Sequence, residues 1–172
     1  MDLFEINKEI FFIINQKITN YFLDFAILYI LIPLFSLLVL VPFYFLFKDK
    51  KFLGLFSLFC GFFLYWFGHS ILKPIFNIPR PSVLFESVRI LGGWQESPYS
   101  FPSSTTMLAF GLALPIFLHQ RKAGTFLLVL AFLVGFCVIY AGFHTPLDVL
   151  AGILISYLFI FVLEKILKIE NV

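Results

Sequence analysis

Several of the few polar residues in this sequence have the types and spacing needed to bind a phosphoryl group. Lys73 and Arg80 are two cations at the end of an apolar segment, and the guanidinium of Arg80 can grip phosphate oxygens through paired N–H donors. Ser103 and Ser104 follow Pro102 in a pattern typical of a capped helix start. The free backbone N–H groups and the helix dipole at such a start favour a bound anion.

A histidine and a carboxylate at helical spacing supply the groups for covalent catalysis. His144 and Asp148 are four residues apart, which places them on one face of a helix. The carboxylate can fix the tautomer of the imidazole so that the other ring nitrogen attacks phosphorus. Taken alone, His144 could be an ordinary interfacial histidine and Lys73 a snorkelling anchor. Together these residues favour phosphate chemistry.

The composition dictates where this chemistry takes place. Of the 172 residues, 61% are apolar and 13% are charged, against about 45–50% and about 25% in a typical soluble domain. So little polar surface excludes a soluble enzyme, a disordered chain and a nucleic-acid binder. We therefore expect an integral membrane protein whose apolar residues face lipid.

The apolar segments predict an all-α, polytopic membrane helix bundle that forms a single domain over residues 1–172. The first 20 residues are amphipathic and predict a helix lying in the membrane interface. Five segments are apolar enough to span the bilayer, with polar flanks helping the shorter ones. These predicted transmembrane helices are residues 25–47, 52–72, 103–118, 125–143 and 147–163.

This topology brings the polar residues together. The loop at 73–102 and the turn at 144–146 are separated by two crossings, so both lie on one face of the membrane. The loops at 48–51 and 120–122 and the tail carry seven Lys and Arg residues, whereas the opposite face carries five. The positive-inside rule therefore predicts an N-terminus outside and a tail in the cytoplasm, with the polar cluster on the outer face.

Three motifs in this order resemble the type 2 phosphatidic acid phosphatase superfamily of membrane lipid phosphatases. Its first motif, Lys, six residues, Arg-Pro, is intact as KPIFNIPRP from Lys73 to Pro81. Its second, Pro-Ser-Gly-His, is altered to Pro-Ser-Ser-Thr and ends at Thr105. Its third keeps the histidine and aspartate but has Cys137-Val138 where Ser-Arg is expected. The resemblance covers about residues 73–152.

The resemblance implies a role for each motif residue. His144 would be a nucleophile that forms a phosphohistidine, and Asp148 would orient it. Lys73, Arg80 and Ser103 would bind the phosphoryl group with backbone amides near Ser104, and neither a metal nor another cofactor would be needed. The protein would lie in a bacterial inner membrane with its active site facing the periplasm or the outside.

Two of the departures from the family pattern, at Thr105 and Val138, bear on the substrate. Thr105 replaces a histidine that protonates the leaving group, and a missing general acid costs about 10²–10⁴-fold when the leaving group is poor. We therefore expect a substrate with a stable leaving group, such as lipid A 1-phosphate or undecaprenyl diphosphate, and lipid A 1-phosphatases are the branch we favour. His69 could replace the absent acid, and Arg89 could replace the absent arginine or hold a second phosphate.

Two classes of function remain open at this point. One is a lipid phosphatase whose partners are a phosphorylated lipid and the surrounding bilayer, with no nucleic acid and no obligate protein partner. The other is a catalytically weak relative that binds phospholipid head groups or has a structural role, as the losses at 105 and 138 suggest. Because binding alone does not need a nucleophile, the presence of His144 and Asp148 favours the enzyme. A transporter is a distant third, since polar residues are missing from the membrane midplane.

Overall fold

The computed structural model describes residues 2–48, 50–92 and 97–167, and these form helices joined by short loops. The second and third helices contain π-helical turns, at 27–31 and 68–72. In chain order the helices are α1 (Leu3–Phe12), α2 (Tyr21–Leu46), α3 (Lys51–Phe76), α4 (Pro81–Leu84), α5 (Ser104–His119), α6 (Arg121–Tyr140) and α7 (Pro146–Leu167). The prediction of an all-α bundle is confirmed.

Four of these helices are long and apolar enough to cross a membrane. They are α2, α3, α6 and α7, with mean hydropathies between 1.6 and 2.6. The predicted third span, α5, has 16 residues, which makes it about 24 Å long and shorter than the roughly 30 Å hydrocarbon core. The protein is therefore an integral membrane protein in which four long helices accompany one shorter apolar helix.

The short helix α5 lies in the centre of the bundle. Its buried residues pack against α2, α3 and α6 in one core cluster and against α3 and α7 in another. Gly61 of α3 and Gly111 of α5 meet so closely that a Cβ added at Gly111 would lie 2.7 Å from the Gly61 Cα. Small residues that permit such backbone approach are typical of helix packing in membranes. The first turn of α5 is thereby held at the end of the bundle where the polar residues collect.

The N-terminal segment packs across this same end of the bundle. Phe11 is fully buried against residues of α6 and α7. The side-chain oxygen of Asn7 accepts a hydrogen bond from the Leu147 backbone N–H at 2.9 Å, at the start of α7. Other apolar residues of α1, such as Leu3 and Phe4, are exposed, as expected of a helix that also faces lipid.

Candidate active site

A cavity of about 320 Å³ opens between α3, the first turn of α5 and the turn that joins α6 to α7. A volume of this size suits a small head group. Six of the nine residues singled out in the sequence line it, namely His69, Lys73, Arg80, Ser104, Thr105 and His144. The folded chain therefore gathers residues from three separate motifs around one space.

His144 and Asp148 form a buried pair at one wall of this cavity. The Nδ1 atom of His144 lies 3.6 Å from Oδ2 of Asp148, and the residues are 2% and 3% exposed. The same Asp148 oxygen accepts a hydrogen bond from the Thr145 backbone N–H at 2.7 Å, while Thr145 Oγ1 accepts one from the Asp148 N–H at 3.3 Å. This reciprocal arrangement is a capping box at the start of α7, with Pro146 as its first residue.

The turn that carries His144 is fixed to the end of α6. The backbone N–H groups of Phe143 and His144 both donate to the Val138 carbonyl, at 3.0 and 3.2 Å. Gly142 has a φ of +83°, and a Cβ there would lie 2.3 Å from the Arg89 carbonyl oxygen, so the turn requires a glycine at this position. The imidazole is thus presented to the cavity by a backbone with little freedom.

Burial lowers the pKa of His144 to about 4 from an ordinary value of 6.5. The carboxylate of Asp148 acts in the opposite direction, and the positive charges of Lys73 and Arg80 lower the pKa further. The imidazole is therefore neutral at physiological pH, and a neutral imidazole has a nitrogen lone pair available for attack on phosphorus.

Both predicted cations are buried beside this histidine. Lys73 is 2% exposed and follows the π-helical turn of α3, a feature found often at functional sites. Arg80 is 6% exposed; its Nε donates to the Ser97 carbonyl at 2.6 Å and its Nη1 to the Phe143 carbonyl at 2.9 Å. Burial lowers the pKa of Arg80, and the charge of Asp148 opposes that shift. These bonds hold the guanidinium at the cavity wall.

The two serines occupy different places. Ser104 lines the cavity as the first residue of α5, whereas Ser103 caps the helix, with its Oγ accepting from the Thr106 N–H at 3.3 Å and from Thr106 Oγ1 at 2.9 Å. The Ser103 N–H donates to the Asp148 backbone carbonyl at 3.0 Å. Gly152 permits this contact between α5 and α7, because a Cβ there would lie 2.9 Å from the Ser103 carbonyl oxygen.

The two suggested auxiliary residues, His69 and Arg89, lie in different places relative to the cavity. His69 lines the cavity and its ring stacks on Tyr65 at a centroid distance of 5.8 Å. Arg89 is not among the residues that line the cavity, and its guanidinium is ion-paired with Asp24 of α2. A role for Arg89 as a direct substitute for the missing arginine is therefore not supported by where its side chain lies.

A polar network around Asp24 went undetected in the sequence. Its carboxylate accepts hydrogen bonds from Arg89 and from the Tyr140 hydroxyl, the latter at 2.7 Å. The fully buried Asn15 side chain bonds to both the N–H and the carbonyl of Arg89 and to the Tyr140 carbonyl. The sequence offered little signal for it, because Asn15 is followed by the polar Gln16 and Lys17 and resembles an ordinary helix end. The network joins the N-terminal segment, α2 and the loop after α4.

The described residues offer little to a metal ion. Across residues 2–48, 50–92 and 97–167, no group of three or more His, Cys, Asp or Glu side chains is placed to hold one. The polar side chains that line the cavity are instead two cations, hydroxyls and imidazoles, beside the apolar Val138 and Phe143. Such a set is suited to an anion.

The fold and this site are typical of a family of membrane phosphatases. The chain belongs to the PAP2 superfamily, whose family model matches residues 52–170. The resemblance noted in the three motifs is thereby confirmed.

Two curated proteins are similar to this chain in sequence. The chain is 42% identical over 96 residues to the bacitracin transport permease protein BcrC of Bacillus licheniformis, covering 54% of this chain and 43% of that protein. It is 31% identical over 108 residues to a lipid A 4'-phosphatase of Bacteroides thetaiotaomicron, covering 57% and 48% of the two chains. The chain thus spans about half the length of the curated relatives it matches.

Two solved structures share the fold over most of their length. The crystal structure of Aquifex aeolicus LpxE has a TM-score of 0.65 and 29% identity, and the match covers 89% of this chain and 91% of that one. A PAP2-type phosphatidylglycerolphosphate phosphatase from Bacillus subtilis has a TM-score of 0.68 at 21% identity, covering 98% and 88%. The latter likeness concerns the fold alone.

Proposed function

We propose that this protein removes phosphate from a lipid head group through a phosphohistidine intermediate on His144. The observation that carries the proposal is the buried imidazole of His144, with its Nδ1 3.6 Å from the Asp148 carboxylate, in a cavity that Lys73 and Arg80 also line. Membership of the PAP2 superfamily and a relative named as a lipid A phosphatase support the same activity.

In the proposed first step, Nε2 of His144 attacks phosphorus while Nδ1–H points toward Asp148. A P–N bond forms as the P–O bond to the leaving group breaks, and the leaving oxygen departs as an anion that is protonated by water or, in the alternative, by His69. In the second step water attacks phosphorus and the P–N bond breaks. Inorganic phosphate is released and the neutral histidine is restored. The separation of 3.6 Å between Nδ1 and the carboxylate is expected to shorten in the substrate complex. No step requires a metal ion.

The cations and the α5 N-terminus would stabilise the charge on the transferring group. Lys73 and Arg80 neutralise the phosphoryl oxygens, and the N–H groups at Ser104 add the positive end of the α5 dipole. Ser103 would act indirectly, because its side chain is already engaged as the helix cap.

The absence of a general acid at Thr105 favours a substrate whose leaving group is stable as an anion. Such substrates include lipid A 1-phosphate, whose leaving group is a hemiacetal oxygen. They also include undecaprenyl diphosphate, whose leaving group is a phosphate. His69 is the alternative acid, since it lines the same cavity. We propose that the site faces the periplasm or the outside of a bacterial inner membrane, and the distribution of Lys and Arg supports this outward orientation.

The test is phosphate release by purified protein from matched lipid A 1-phosphate, undecaprenyl diphosphate and phosphatidic acid. We expect the first two to be hydrolysed faster, and a clear preference for phosphatidic acid would overturn the leaving-group proposal. His69→Ala tests the alternative acid: it should slow alkyl phosphate hydrolysis and spare an aryl phosphate, whose leaving group needs no proton. If His69→Ala changes the hydrolysis of the alkyl and aryl phosphates by the same factor relative to wild type, His69 is not the acid.

A second candidate function is phospholipid head-group binding without turnover, which the residues at Thr105 and Val138 favour. His144→Ala separates the two functions, because an enzyme loses turnover whereas a binding protein keeps both its affinity and its absence of turnover. The measurement is lipid binding and phosphate release on the same preparation.

A further inference from the structure

A second cavity adjoins the candidate active site. It has a volume of about 380 Å³ and lies between α2 and α6. Its walls are almost entirely apolar, with Ile27, Leu28, Ile32 and Phe35 on α2 facing Val134 and Cys137 on α6. Residues 27 to 35 of a helix extend over about 12 Å, so this apolar groove runs along α2 for a good part of one membrane leaflet.

The groove and the phosphate cavity share a wall. Thr105, Val138 and Phe143 line both spaces. Two of these three, Thr105 and Val138, are among the four positions at which this chain departs from the family motifs, the others being Ser104 and Cys137. An arginine at 138 would place a charge in the apolar groove at a considerable desolvation cost, whereas valine keeps the shared wall apolar. The departures that remove polar groups from the phosphate cavity therefore also open it toward an apolar space.

The loop after α4 contributes to the groove lining. Leu91 and Gly92 line the groove, and the Leu91 N–H donates to the Ala141 carbonyl at 3.1 Å. Arg89, two residues earlier, is anchored by its ion pair with Asp24. The loop is thus tied to both helices that form the groove walls.

We propose that this groove binds the hydrocarbon chain of the substrate where it leaves the phosphoryl group, and that Thr105 and Val138 form the passage between the two. The inference rests on the proposed function and adds to it the site of chain recognition. The occupant is the substrate's own chain because the groove shares three lining residues with the phosphate cavity, and two of them, Val138 and Phe143, are apolar. Thr105 adjoins Ser104, so the apolar surface begins one residue away from the proposed phosphate site.

The experiment uses isopentenyl, geranyl and farnesyl diphosphates, which carry the same head group on chains of increasing length. Purified wild-type protein should show kcat/KM rising by about tenfold for each unit that reaches the groove, a conservative fraction of the transfer free energy of five buried carbons. Leu28→Trp, which fills the groove, should lower the farnesyl-to-isopentenyl ratio of kcat/KM by at least about tenfold. Because that ratio is taken within one preparation, a reduced fraction of folded protein cancels.

The matched control is Ile30→Trp, on the same helix but 53% exposed and outside the groove lining. It should keep the wild-type ratio. A wild-type ratio near one, an unchanged ratio in Leu28→Trp, or an equal loss in Ile30→Trp would each overturn the groove proposal while leaving the phosphatase proposal intact. Phosphate release from none of these diphosphates and none of the lipid panel would instead overturn the proposed function itself.

Discussion

Replacing Asp148 by asparagine tests how the candidate nucleophile is activated. As Nε2 of His144 bonds to phosphorus, positive charge develops on a ring that is 2% exposed and lies near Lys73 and Arg80. The carboxylate of Asp148, 3.6 Å from Nδ1, is the anion that compensates this charge. Asp148→Asn keeps the shape of the side chain and removes the charge.

The size of the effect follows from the distance. Two unit charges about 4 Å apart interact by about 4 kcal/mol at an effective dielectric constant of about 20. Loss of that interaction in the transition state corresponds to a decrease in kcat of about a thousandfold. The asparagine oxygen can still accept the Thr145 N–H bond, so the free energy of unfolding should fall by only about 1 kcal/mol.

Thr145→Val is the matched control for this substitution. It removes the Oγ1 acceptor of the Asp148 N–H bond and leaves the carboxylate in place. We expect a similar loss of about 1 kcal/mol in stability, because both variants weaken the same capping box, with kcat within about threefold of wild type. The assay is steady-state phosphate release combined with thermal unfolding. Retention of kcat within tenfold in Asp148→Asn, or an equal loss in Thr145→Val, would refute the reasoning.

Three further predictions concern pH, the missing acid and the polar network. Since the His144 pKa falls from 6.5 in the unfolded chain to about 4 in the folded protein, folding stability should decline as pH drops from 6.5 toward 4. His144→Gln should abolish this part of the pH dependence of thermal unfolding. A pH dependence equal to that of the wild type would contradict the prediction. Thr105→His should raise phosphatidic acid hydrolysis by about ten- to a hundredfold, part of the worth of a general acid, and leave an aryl phosphate unaffected; equal gains on both substrates would argue against acid catalysis. Asn15→Leu should lower the free energy of unfolding by about 2–4 kcal/mol through three lost hydrogen bonds. Gln16→Ala beside it, whose bond to the Ser87 carbonyl is exposed, should cost under about 1 kcal/mol. A loss in Asn15→Leu as small as that in Gln16→Ala, measured by denaturant titration, would show that the network contributes little stability.

The helical membrane architecture could be predicted from the sequence because hydropathy reports directly on what a segment contacts. The boundaries were less accurate. The first span was predicted from residue 25, but α2 begins at Tyr21 because the Asn20 side chain caps it by accepting from the Leu23 N–H at 2.9 Å. A cap of this kind extends a helix beyond its apolar run.

The gathering of Lys73, Arg80, Ser104 and His144 at one cavity followed from counting membrane crossings. Two crossings between the loop and the turn bring both to the same face, whatever the details of packing. Ser103 was harder to place, because an N-terminal serine can either cap the helix or face a ligand. The hydrogen bonds to Thr106 settle its position in favour of the cap.

Contacts between segments distant in sequence could not be predicted from local sequence patterns. Asn15 and Arg89 are separated by 74 residues, and the hydrogen bonds between them depend on how the N-terminal segment lies across the bundle. Arg89 had the residue type expected of a phosphate ligand, yet its partner is Asp24. A carboxylate positioned by the fold thus determines the role of a cation that residue type alone leaves open.

The central claim is that a phosphoryl group is transferred to His144. The most direct measurement is rapid quenching of wild-type protein mixed with a radiolabelled lipid diphosphate, followed by tests of the labelled protein in acid and in base. We predict a label that is stable in base and labile in acid, that maps to the peptide containing His144, and that is absent from His144→Ala. Full phosphate release by the wild type with no such label, or an equal label in His144→Ala, would contradict the account.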